Sequence, residues 1–420
     1  MKTIILDDDP TGTQSAAGVD VLLHIDEVAL EEVLTDADSV YVQTNSRALA
    51  ELEAVALCQQ IKSQARAVAT RLGEDVRFVL RGDSTLRGHV FAETAVFMED
   101  DAVMLFVPAF PDGGRVTIGG VHYLLVGGRH VPMHETEYAA DPVFGFSTAV
   151  LVDYVQAMCD RPSRSVALED VRSGALALSL VEATAGSVVL PDAETNRDIR
   201  LIADAVDLAT AAGRSVVVRS AAPLAAELAG VTSSGLLEQI PAPDHPSVLL
   251  VCGSHTRGAS AQLDRVAERW GDPRYIDTEG ALAAPVVEGE RVADGLATDL
   301  RAHGFAMIAS RRERLTAHDT LDHGQRIMTA LTTAVSLSES LADVVVAKGG
   351  ITSADTARIG LGATRARVLG QILPGVSVWS LRTSAEREIS YVVVPGNVGG
   401  PSTLVDVLAA LPSPAKEVAR

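Results

Sequence analysis

The sequence is poor in several features that mark other classes of protein. It has three cysteines and 4% aromatic residues among 420, and acidic residues outnumber basic ones by 55 to 35. Cys58, Cys159 and Cys252 lie far apart in apolar surroundings, so we expect buried, reduced thiols rather than disulfides or a metal site. A formal net charge of -20 also leaves no basic face for nucleic-acid phosphates.

Long apolar runs and several familiar catalytic motifs are missing as well. No run approaches the ~20 apolar residues that span a bilayer. Met1 leads directly into strand-like residues 3–6, which predicts no signal peptide, and we expect a soluble, cytoplasmic protein. His-Glu-x-x-His, Gly-x-Ser-x-Gly and the P-loop are absent. His130 and His134 are four residues apart but lack an evident third ligand, so we expect surface or loop histidines rather than a zinc site.

One pattern recurs along the chain: a short β-branched run ends in small or polar residues and a helical stretch follows. Predicted strands are 3–6, 39–43, 77–80, 103–107, 187–190, 215–219, 248–252, 305–309, 344–347, 376–379 and 391–394. Predicted helices include 53–72, 198–212, 259–270 and 325–341. The alternation predicts an α/β fold with two domains, each a mainly parallel sheet flanked by helices, and an active site in the cleft between them.

The domain boundary is marked by proline. One hydrophobic core stops growing near ~250–300 residues, so 420 residues predict two domains. Residues 237–246 contain three prolines and are predicted to link a domain of residues 1–236 to one of residues 247–420. Residues 111–147 are rich in glycine, histidine and proline. They are long for a connection, which is typical of a functional loop.

Three consecutive aspartates, Asp7, Asp8 and Asp9, follow the first predicted strand. Ligands of parallel sheets lie beyond the carboxyl ends of the strands, so these carboxylates are placed to orient a hydroxyl, act as a general base or help hold a metal. The alternative is helix capping combined with solvent exposure. The position at a strand end, before Pro-Thr-Gly, favours a role in the site.

Residues 81–88, Arg-Gly-Asp-Ser-Thr-Leu-Arg-Gly, form the densest polar cluster. Arg81 and Arg87 can clamp a carboxylate or phosphate, and Asp83 can take a proton from a substrate hydroxyl. The alternative is a capped helix start with surface salt bridges. The segment also carries two hydroxyl side chains, Ser84 and Thr85.

Two isolated arginines, Arg47 and Arg115, follow Thr-Asn-Ser and Pro-Asp-Gly-Gly. Either alone would more often be a surface residue. Together with the cluster at 81–88 they predict a site for an acidic, hydroxyl-rich small molecule.

The second half has three glycine-containing loops after predicted strands, at 253–256, 349–352 and 395–400, which we call the first, second and third glycine loops. Backbone N–H groups in such loops bind phosphate. A single loop of this kind is weak evidence, because tight turns also use glycine for geometry alone. Three in one domain favour a nucleotide site.

These motifs resemble the four-carbon acid sugar kinase family, and the similarity runs essentially end to end. It covers residues 8–12, 44–47, 83–88, 108–147, 253–254, 349–352 and 396–399. The string Asp-Ser-Thr-Leu-Arg-Gly at 83–88 is the most specific part. The chain departs from the family's pattern at Ile351, where an aspartate is expected, and at Val394 and Pro395, where Lys-Ser is usual.

The resemblance implies an ATP-dependent kinase that phosphorylates a hydroxyl of erythronate, threonate or 3-oxo-tetronate, with the acid bound by the N-terminal domain and the nucleotide by the C-terminal domain. Arg87, with Arg81 or Arg47, would hold the substrate carboxylate. Asp83 or Asp9 would orient or deprotonate the attacking hydroxyl. Further predicted substrate contacts are Asp8, Thr11, Ser84 and Arg115.

The nucleotide would be ATP, with Mg²⁺ bridging its phosphates through few protein ligands. The predicted nucleotide-binding residues are Ser254, Gly349, Gly350, Ile351, Thr352, Gly396, Asn397 and Gly399.

Two other functions remain open at this point. The same clamp could serve a lyase or isomerase acting on a phosphorylated sugar acid, without ATP. The departures at Ile351 and Val394 would also suit a catalytically silent relative that senses a ligand. The expected partners are a small sugar acid and ATP, with no nucleic acid and no membrane. The sequence fixes neither the acid nor the oligomeric state, and a homo-oligomer is left open.

Overall fold

The computed structural model describes residues 1–311, 321–396 and 398–413. Its strands, in chain order, are β1 (Lys2–Asp7), β2 (Val19–Leu22), β3 (Ser39–Gln43), β4 (Val76–Arg81), β5 (Val103–Val107), β6 (Arg115–Ile118), β7 (Val121–Val126), β8 (Arg129–Pro132), β9 (Ser163–Val166), β10 (Val188–Pro191), β11 (Val216–Ser220), β12 (Val248–Cys252), β13 (Arg274–Ile276), β14 (Phe305–Ser310), β15 (Val344–Lys348), β16 (Arg365–Leu373), β17 (Val376–Arg382) and β18 (Glu388–Val394).

Its helices are α1 (Glu27–Asp36), α2 (Glu51–Leu72), α3 (Val90–Phe97), α4 (Leu151–Met158), α5 (Leu168–Ser173), α6 (Ala175–Glu182), α7 (Asn196–Ala211), α8 (Ala222–Ala229), α9 (Arg257–Trp270), α10 (Thr278–Ala283), α11 (Pro285–His303), α12 (Leu321–Ser338), α13 (Gly350–Asp355) and α14 (Thr403–Ala409). Every strand and helix predicted from the sequence has a counterpart. None of the helices in the described ranges combines the length and the apolar character that crossing a membrane requires.

The chain forms two compact units. The first contains residues 1–16 and 25–232, and the second contains residues 17–24 and 233–420. This division differs from the sequence-based one at two places. Residues 17–24 lie in the second unit because β2 pairs there with β16. Residues 237–246, predicted as a linker, also pack in the second unit, where Ile240 is fully buried and its N–H donates to the Ala410 carbonyl at 2.9 Å.

The first unit contains a parallel sheet in the order β3-β1-β4-β11-β5-β10-β9. The middle residues of its central strands are mainly apolar, as in strands covered by helices on both faces. Polar residues begin where these strands end, and Asp7 at the end of β1 is the register partner of both Gln43 and Arg81. The polar ends of β1, β3 and β4 are therefore brought side by side.

Residues 111–147 are more ordered than the sequence suggests. They contain a separate antiparallel sheet, β6-β7-β8. Its strands are short, and they are joined by glycine pairs, 119–120 and 127–128, in which all four residues have positive φ. Thr117 of β6 exchanges backbone hydrogen bonds with Ala193, which attaches this small sheet to the chain after β10.

The second unit contains a mixed sheet in the order β13-β14-β12-β15-β18-β17-β16-β2. The strands from β13 to β18 in this order are parallel, and those from β18 to β2 are antiparallel. Asp20 of β2 pairs with Arg365 and Arg367 of β16 at 3.0 and 2.6 Å, which anchors the N-terminal segment to this unit.

We expect Gly289→Ala to destabilise the second unit. At Gly289 in α11, a Cβ atom would stand 2.5 Å from the Ala330 carbonyl oxygen and 2.6 Å from the Thr333 Cβ, both in α12. Neither atom is the end of a flexible side chain, so the two helices would have to separate, at a cost of about 1–3 kcal/mol. Thermal unfolding followed by circular dichroism should show a lower Tm.

The matched control is Gly324→Ala in α12, where an added Cβ would meet nothing within 4 Å. Alanine favours helix over glycine by up to about 1 kcal/mol, so this variant should be as stable as the parent or slightly more so. An unchanged Tm for Gly289→Ala would contradict the close approach of α11 and α12.

Candidate functional site

The three aspartates that end β1 are buried. Asp7, Asp8 and Asp9 are 0, 1 and 3% exposed. Asp9 caps a short turn, because its Oδ1 accepts the backbone N–H of Thr11 at 2.8 Å. Gly12 lies directly against the Asp7 carboxylate, where any Cβ would overlap it. The capping alternative is thus present at Asp9, but without the solvent exposure that it supposed.

Arg81 at the end of β4 pairs with all three aspartates of this acidic cluster. Its Nη1 lies 3.1, 3.3 and 2.9 Å from carboxylate oxygens of Asp7, Asp8 and Asp9, and its Nη2 donates to the Thr11 hydroxyl at 3.1 Å. Only 2% of Arg81 is exposed. Its contacts are therefore internal, and its predicted contact with substrate stays a prediction.

Arg47 lies beyond the end of β3 and joins the same cluster to Asp83. Its Nε is 3.4 Å from Asp8 Oδ2, its Nη1 is 3.3 Å from Asp83 Oδ2, and its Nη2 contacts Asp9. Two arginines, from the strands on either side of β1, thus hold carboxylates that would otherwise repel one another.

A further arginine, Arg219, was not predicted. It lies near the end of β11 and pairs with Glu93 at 2.5 Å and with Asp8 at 3.5 Å. Gly82 packs on its guanidinium, where a Cβ would overlap. Arg219 ends a strand that the sequence did predict, so the strand-end rule could have found it. Glu93 lies within the apolar helix α3, and nothing in the sequence marked it.

Asp83 opens the predicted segment 83–88 and organises it. Its Oδ1 accepts the Thr85 backbone N–H at 3.1 Å, and its Oδ2 accepts the Thr85 hydroxyl at 2.5 Å and Arg87 Nε at 2.8 Å. Burial alone would raise the pKa of Asp83, but Arg87, Arg47 and Thr85 outweigh burial and hold the pKa well below its usual range. Asp83 is therefore ionised near pH 7.

Arg87 is the accessible arginine of the segment, with 21% of its side chain exposed. It pairs with Asp83 at 2.8 Å and with Asp141 at 3.4 Å, and it stacks over the Tyr138 ring at 5.1 Å. Tyr138 also bonds Arg115. Tyr138 and Asp141 come from the loop that the sequence marked as functional, although neither residue was singled out.

His122 of β7 holds the backbone at Ser84 in place. His122 Nε2 lies 2.8 Å from the Ser84 carbonyl oxygen, and its Nδ1 lies 3.1 Å from the Thr117 hydroxyl. Burial lowers the pKa of His122 to about 4, so the ring is neutral near pH 7. Arg115 is 3% exposed, and burial lowers its pKa also.

We call this set the acid–arginine network: Asp7, Asp8, Asp9, Asp83, Glu93, Arg47, Arg81, Arg87 and Arg219. Its carboxylates differ in protonation. Burial raises the pKa of Asp7 to about 7, although Arg81 opposes the shift, whereas Asp83 stays ionised. Asp83 can therefore accept a hydrogen bond from a hydroxyl group, and Arg87 can present a positive charge to an acid.

In the second unit the three glycine loops meet at one edge of the sheet. The residues before them, Cys252, Lys348 and Val394, are register partners on the adjacent parallel strands β12, β15 and β18. The Thr256 hydroxyl donates to the Gly396 carbonyl at 2.8 Å and lies 3.4 Å from the Ser254 hydroxyl. The first loop is thereby joined to the third.

The second loop lies between the other two. A Cβ at Gly349, whose φ is +113°, would stand 3.0 Å from the Ser254 Cβ. Thr352 is buried, whereas Ile351 is 41% exposed. Gly350 begins α13.

In the third loop, Gly399 has a φ of +86°, which favours glycine. Asn397 lies outside the described residues. The other predicted nucleotide-binding residues are thus brought to one edge of the sheet, and what they bind stays a prediction.

Two family models match the chain. A sugar-binding N-terminal domain matches residues 3–228, and a nucleotide-binding C-terminal domain matches residues 249–404. The first contains the acid–arginine network, and the second contains the three glycine loops.

Relatives with similar sequences are named as sugar-acid kinases. A D-erythronate kinase of Heliobacterium modesticaldum is 31% identical over 240 residues, which is 54% of this chain and only 50% of that protein's length. A D-threonate kinase of Salmonella typhimurium is 24% identical across 97% of this chain and 98% of that protein. A D-threonate kinase of Bordetella bronchiseptica is 27% identical across 92% and 89%.

Solved structures share the fold. Haemophilus influenzae protein HI1011 superposes with a TM-score of 0.60 at 19% identity, covering 97% of this chain and 99% of that one. A Salmonella typhimurium LT2 protein gives a TM-score of 0.68 at 16% identity, covering 96% and 98%. At these identities the likeness concerns the fold alone.

We expect His122→Phe to lower the free energy of unfolding by about 1–3 kcal/mol at pH 7, because the Ser84 carbonyl and the Thr117 hydroxyl lose their partner. The pKa of His122 is about 4 when folded against 6.5 when unfolded, so the unfolded chain binds more protons between these values. His122 therefore lowers the free energy of unfolding of the parent as pH falls. In urea unfolding, the difference in this free energy between parent and variant should shrink from about pH 7 to about pH 5.

His130→Phe is the matched control, since His130 is exposed on β8. It should leave stability and its pH dependence unchanged. A gap between the parent and His122→Phe that stays constant with pH would show that His122 is not held neutral by burial.

Proposed function

The chain belongs to the four-carbon acid sugar kinase family, and on this premise we propose that it transfers the γ-phosphoryl group of ATP to a hydroxyl of a four-carbon sugar acid. D-threonate and D-erythronate are the first candidates, because similar proteins are named as kinases of these acids. The observation that carries the proposal is the division of chemistry. One unit ends its strands in an acid–arginine network, and the other ends its strands in glycine loops.

The acid end of the proposed site is Arg87. A substrate carboxylate needs a cation that is reachable and not wholly committed elsewhere. Arg87 is more exposed than Arg47 at 13% and Arg81 at 2%. We therefore assign the direct carboxylate contact to Arg87. Arg81 and Arg47 would hold the aspartates in place, with Asp8, Thr11, Ser84 and Arg115 around the substrate.

We assign to Asp83 the role of orienting the attacking hydroxyl of the sugar acid, with Asp9 as the other candidate. A carboxylate with a strongly lowered pKa is a weak base, but it remains a good hydrogen-bond acceptor. Phosphoryl transfer depends mainly on positioning and charge stabilisation rather than on a strong base. Orienting the hydroxyl in line with the phosphorus is therefore sufficient work for Asp83.

The nucleotide end is assigned to the glycine loops, through Ser254, Gly349, Gly350, Ile351, Thr352, Gly396, Asn397 and Gly399. Mg²⁺ is proposed to enter as part of the substrate MgATP. Oxygens of Asp7, Asp8 and Asp9 lie within 4.8 Å of one another, but Arg81 and Arg47 already pair with them. This cluster therefore does not fit a resident cation, and no step is assigned to one there.

A lyase or isomerase would use the acid–arginine network without ATP. The matched nucleotide-binding model and the joined glycine loops favour the kinase. A dependence of product formation on ATP separates the two, and turnover of any acid rules out a silent sensing relative.

The test is phosphoryl transfer from MgATP to a panel of D-threonate, D-erythronate and 3-oxo-tetronate, followed as ADP release and as phosphorylated acid. We expect Arg87→Ala to lower kcat/KM for the acid about 10- to 100-fold, as loss of a hydrogen bond to a charged group does. Asp83→Asn should lower kcat by roughly 10²-fold or more.

Arg71→Ala is the control, because Arg71 is an exposed arginine that pairs with Glu27 and Glu31 on the surface. It should keep the parent kinetics. Full activity of both Arg87→Ala and Asp83→Asn, or conversion of an acid without ATP, would contradict the proposal.

A further inference from the structure

Lys348 is an unusual residue for its position. It ends β15 directly beneath the glycine loops, and it is 0% exposed. Lysine is almost never fully buried without an anionic partner, because removing an ammonium group from water costs several kcal/mol. Burial lowers the pKa of Lys348 to about 8, and among the described residues only the Cys252 side chain acts electrostatically against that shift.

The other titratable groups on the surrounding elements are committed elsewhere. Asp355 of α13 pairs with Arg358, the Tyr391 hydroxyl of β18 donates to the Ser353 carbonyl, and Asp406 of α14 bonds Ser402. His255 of the first glycine loop contacts Ser310. The charged residues of α9 are exposed: Arg257, Asp264, Arg265, Glu268 and Arg269.

The ammonium group of Lys348 is bonded to the third glycine loop. It donates to the Pro395 carbonyl at 2.6 Å and lies 3.4 Å from the Val398 carbonyl. Gln262 of α9 donates to the Val398 carbonyl as well, at 3.2 Å. The carbonyls on both sides of the loop are therefore drawn inwards, towards one buried positive charge.

The opposite ends of these peptide units are then fixed. In a planar trans peptide the C=O and the following N–H point in opposite directions. The N–H groups of Gly396 and Gly399 consequently point away from Lys348. A cation at the carbonyl end of a peptide dipole polarises it and makes the N–H end a better hydrogen-bond donor.

We propose that Lys348 is a positioning residue of the nucleotide site, which aims and polarises the Gly396 and Gly399 amides towards the phosphates of the bound nucleotide. This inference rests on the proposed function. Among the described residues the contacts of the buried ammonium are backbone carbonyls and not carboxylates. The phosphates would supply the missing negative charge and would interact with the ammonium through two peptide units. Nucleotide binding and protonation of Lys348 are thus coupled.

The sign of the coupling follows from linkage. Bound phosphate favours the charged ammonium, so the pKa of Lys348 rises on binding and a proton is taken up. Above about pH 8 the free protein loses this proton, and affinity should fall towards a limit of about tenfold per pH unit. The second ionisation of a phosphate ester lies near ~6, so the nucleotide itself does not titrate in this range.

The experiment measures ADP binding by calorimetry between about pH 7.5 and about pH 9.5, in buffers of different ionisation enthalpy. For the parent we expect the affinity for ADP to fall as pH rises, and we expect uptake of up to about half a proton on binding at pH 8. Lys348→Met should bind ADP at least ~10-fold more weakly at pH 7.5, with a flat pH profile and no uptake. Lys348→Gln, which keeps a donor without the charge, should be equally flat.

Lys62→Met is the control, because Lys62 is partly buried on α2 but paired with Glu99. It should behave as the parent. The parent profile needs no variant and tests the proposal even if Lys348→Met fails to fold. A flat parent profile with normal ADP binding, or an unchanged profile in Lys348→Met, overturns the role of Lys348 alone. A parent that binds neither ADP nor ATP overturns this role and the kinase proposal together.

Discussion

The first unit depends on one constraint, the mutual neutralisation of carboxylates and guanidinium groups away from water. Arg81 lies within ion-pair distance of three consecutive aspartates, and none of these four residues is more than 3% exposed. Charges buried in this way are tolerable only when each is paired and hydrogen-bonded. Removing one partner leaves another uncompensated, so the ends of β1, β3 and β4 are fixed together.

That arrangement leaves Arg87 as the arginine of the network that is most accessible to a ligand. Asp83 holds it on one side, Asp141 on another and the Tyr138 ring beneath, while a fifth of its side chain meets solvent. The second unit uses different means for its part of the proposed chemistry. Its glycine loops present backbone groups rather than charged side chains. The buried cation Lys348 ends the strand next to the third loop and is hydrogen-bonded to that loop rather than being part of it. Because the chain is strongly acidic overall, it can bind anions only where cations or backbone N–H groups are concentrated locally.

The sequence was sufficient for the regular part of this fold because buried parallel strands read as apolar runs that stop at polar residues. It located Asp9, Arg81 and Asp83 by the same rule. It missed β2 and β16, which pair with each other across more than 340 positions, and it missed β6 to β9 and β13, whose short strands lack a clear alternation. Such pairings are set by tertiary contacts and not by local pattern.

The sequence singled out clustered residues that follow strand ends, and it missed those whose place in the network is set by packing. Arg219 ended a predicted strand but had no polar neighbours to mark it. His122 and Tyr138 are recognisable only from what they touch, a carbonyl of the 83–88 segment and the Arg87 guanidinium.

The central claim is that the acid–arginine network selects a sugar acid through its carboxylate. The most direct test is calorimetric binding of D-threonate and D-erythronate without nucleotide, each compared with the neutral four-carbon polyol of the same configuration. At least one acid should bind and its polyol should not, whereas equal affinity for acid and polyol would contradict this claim.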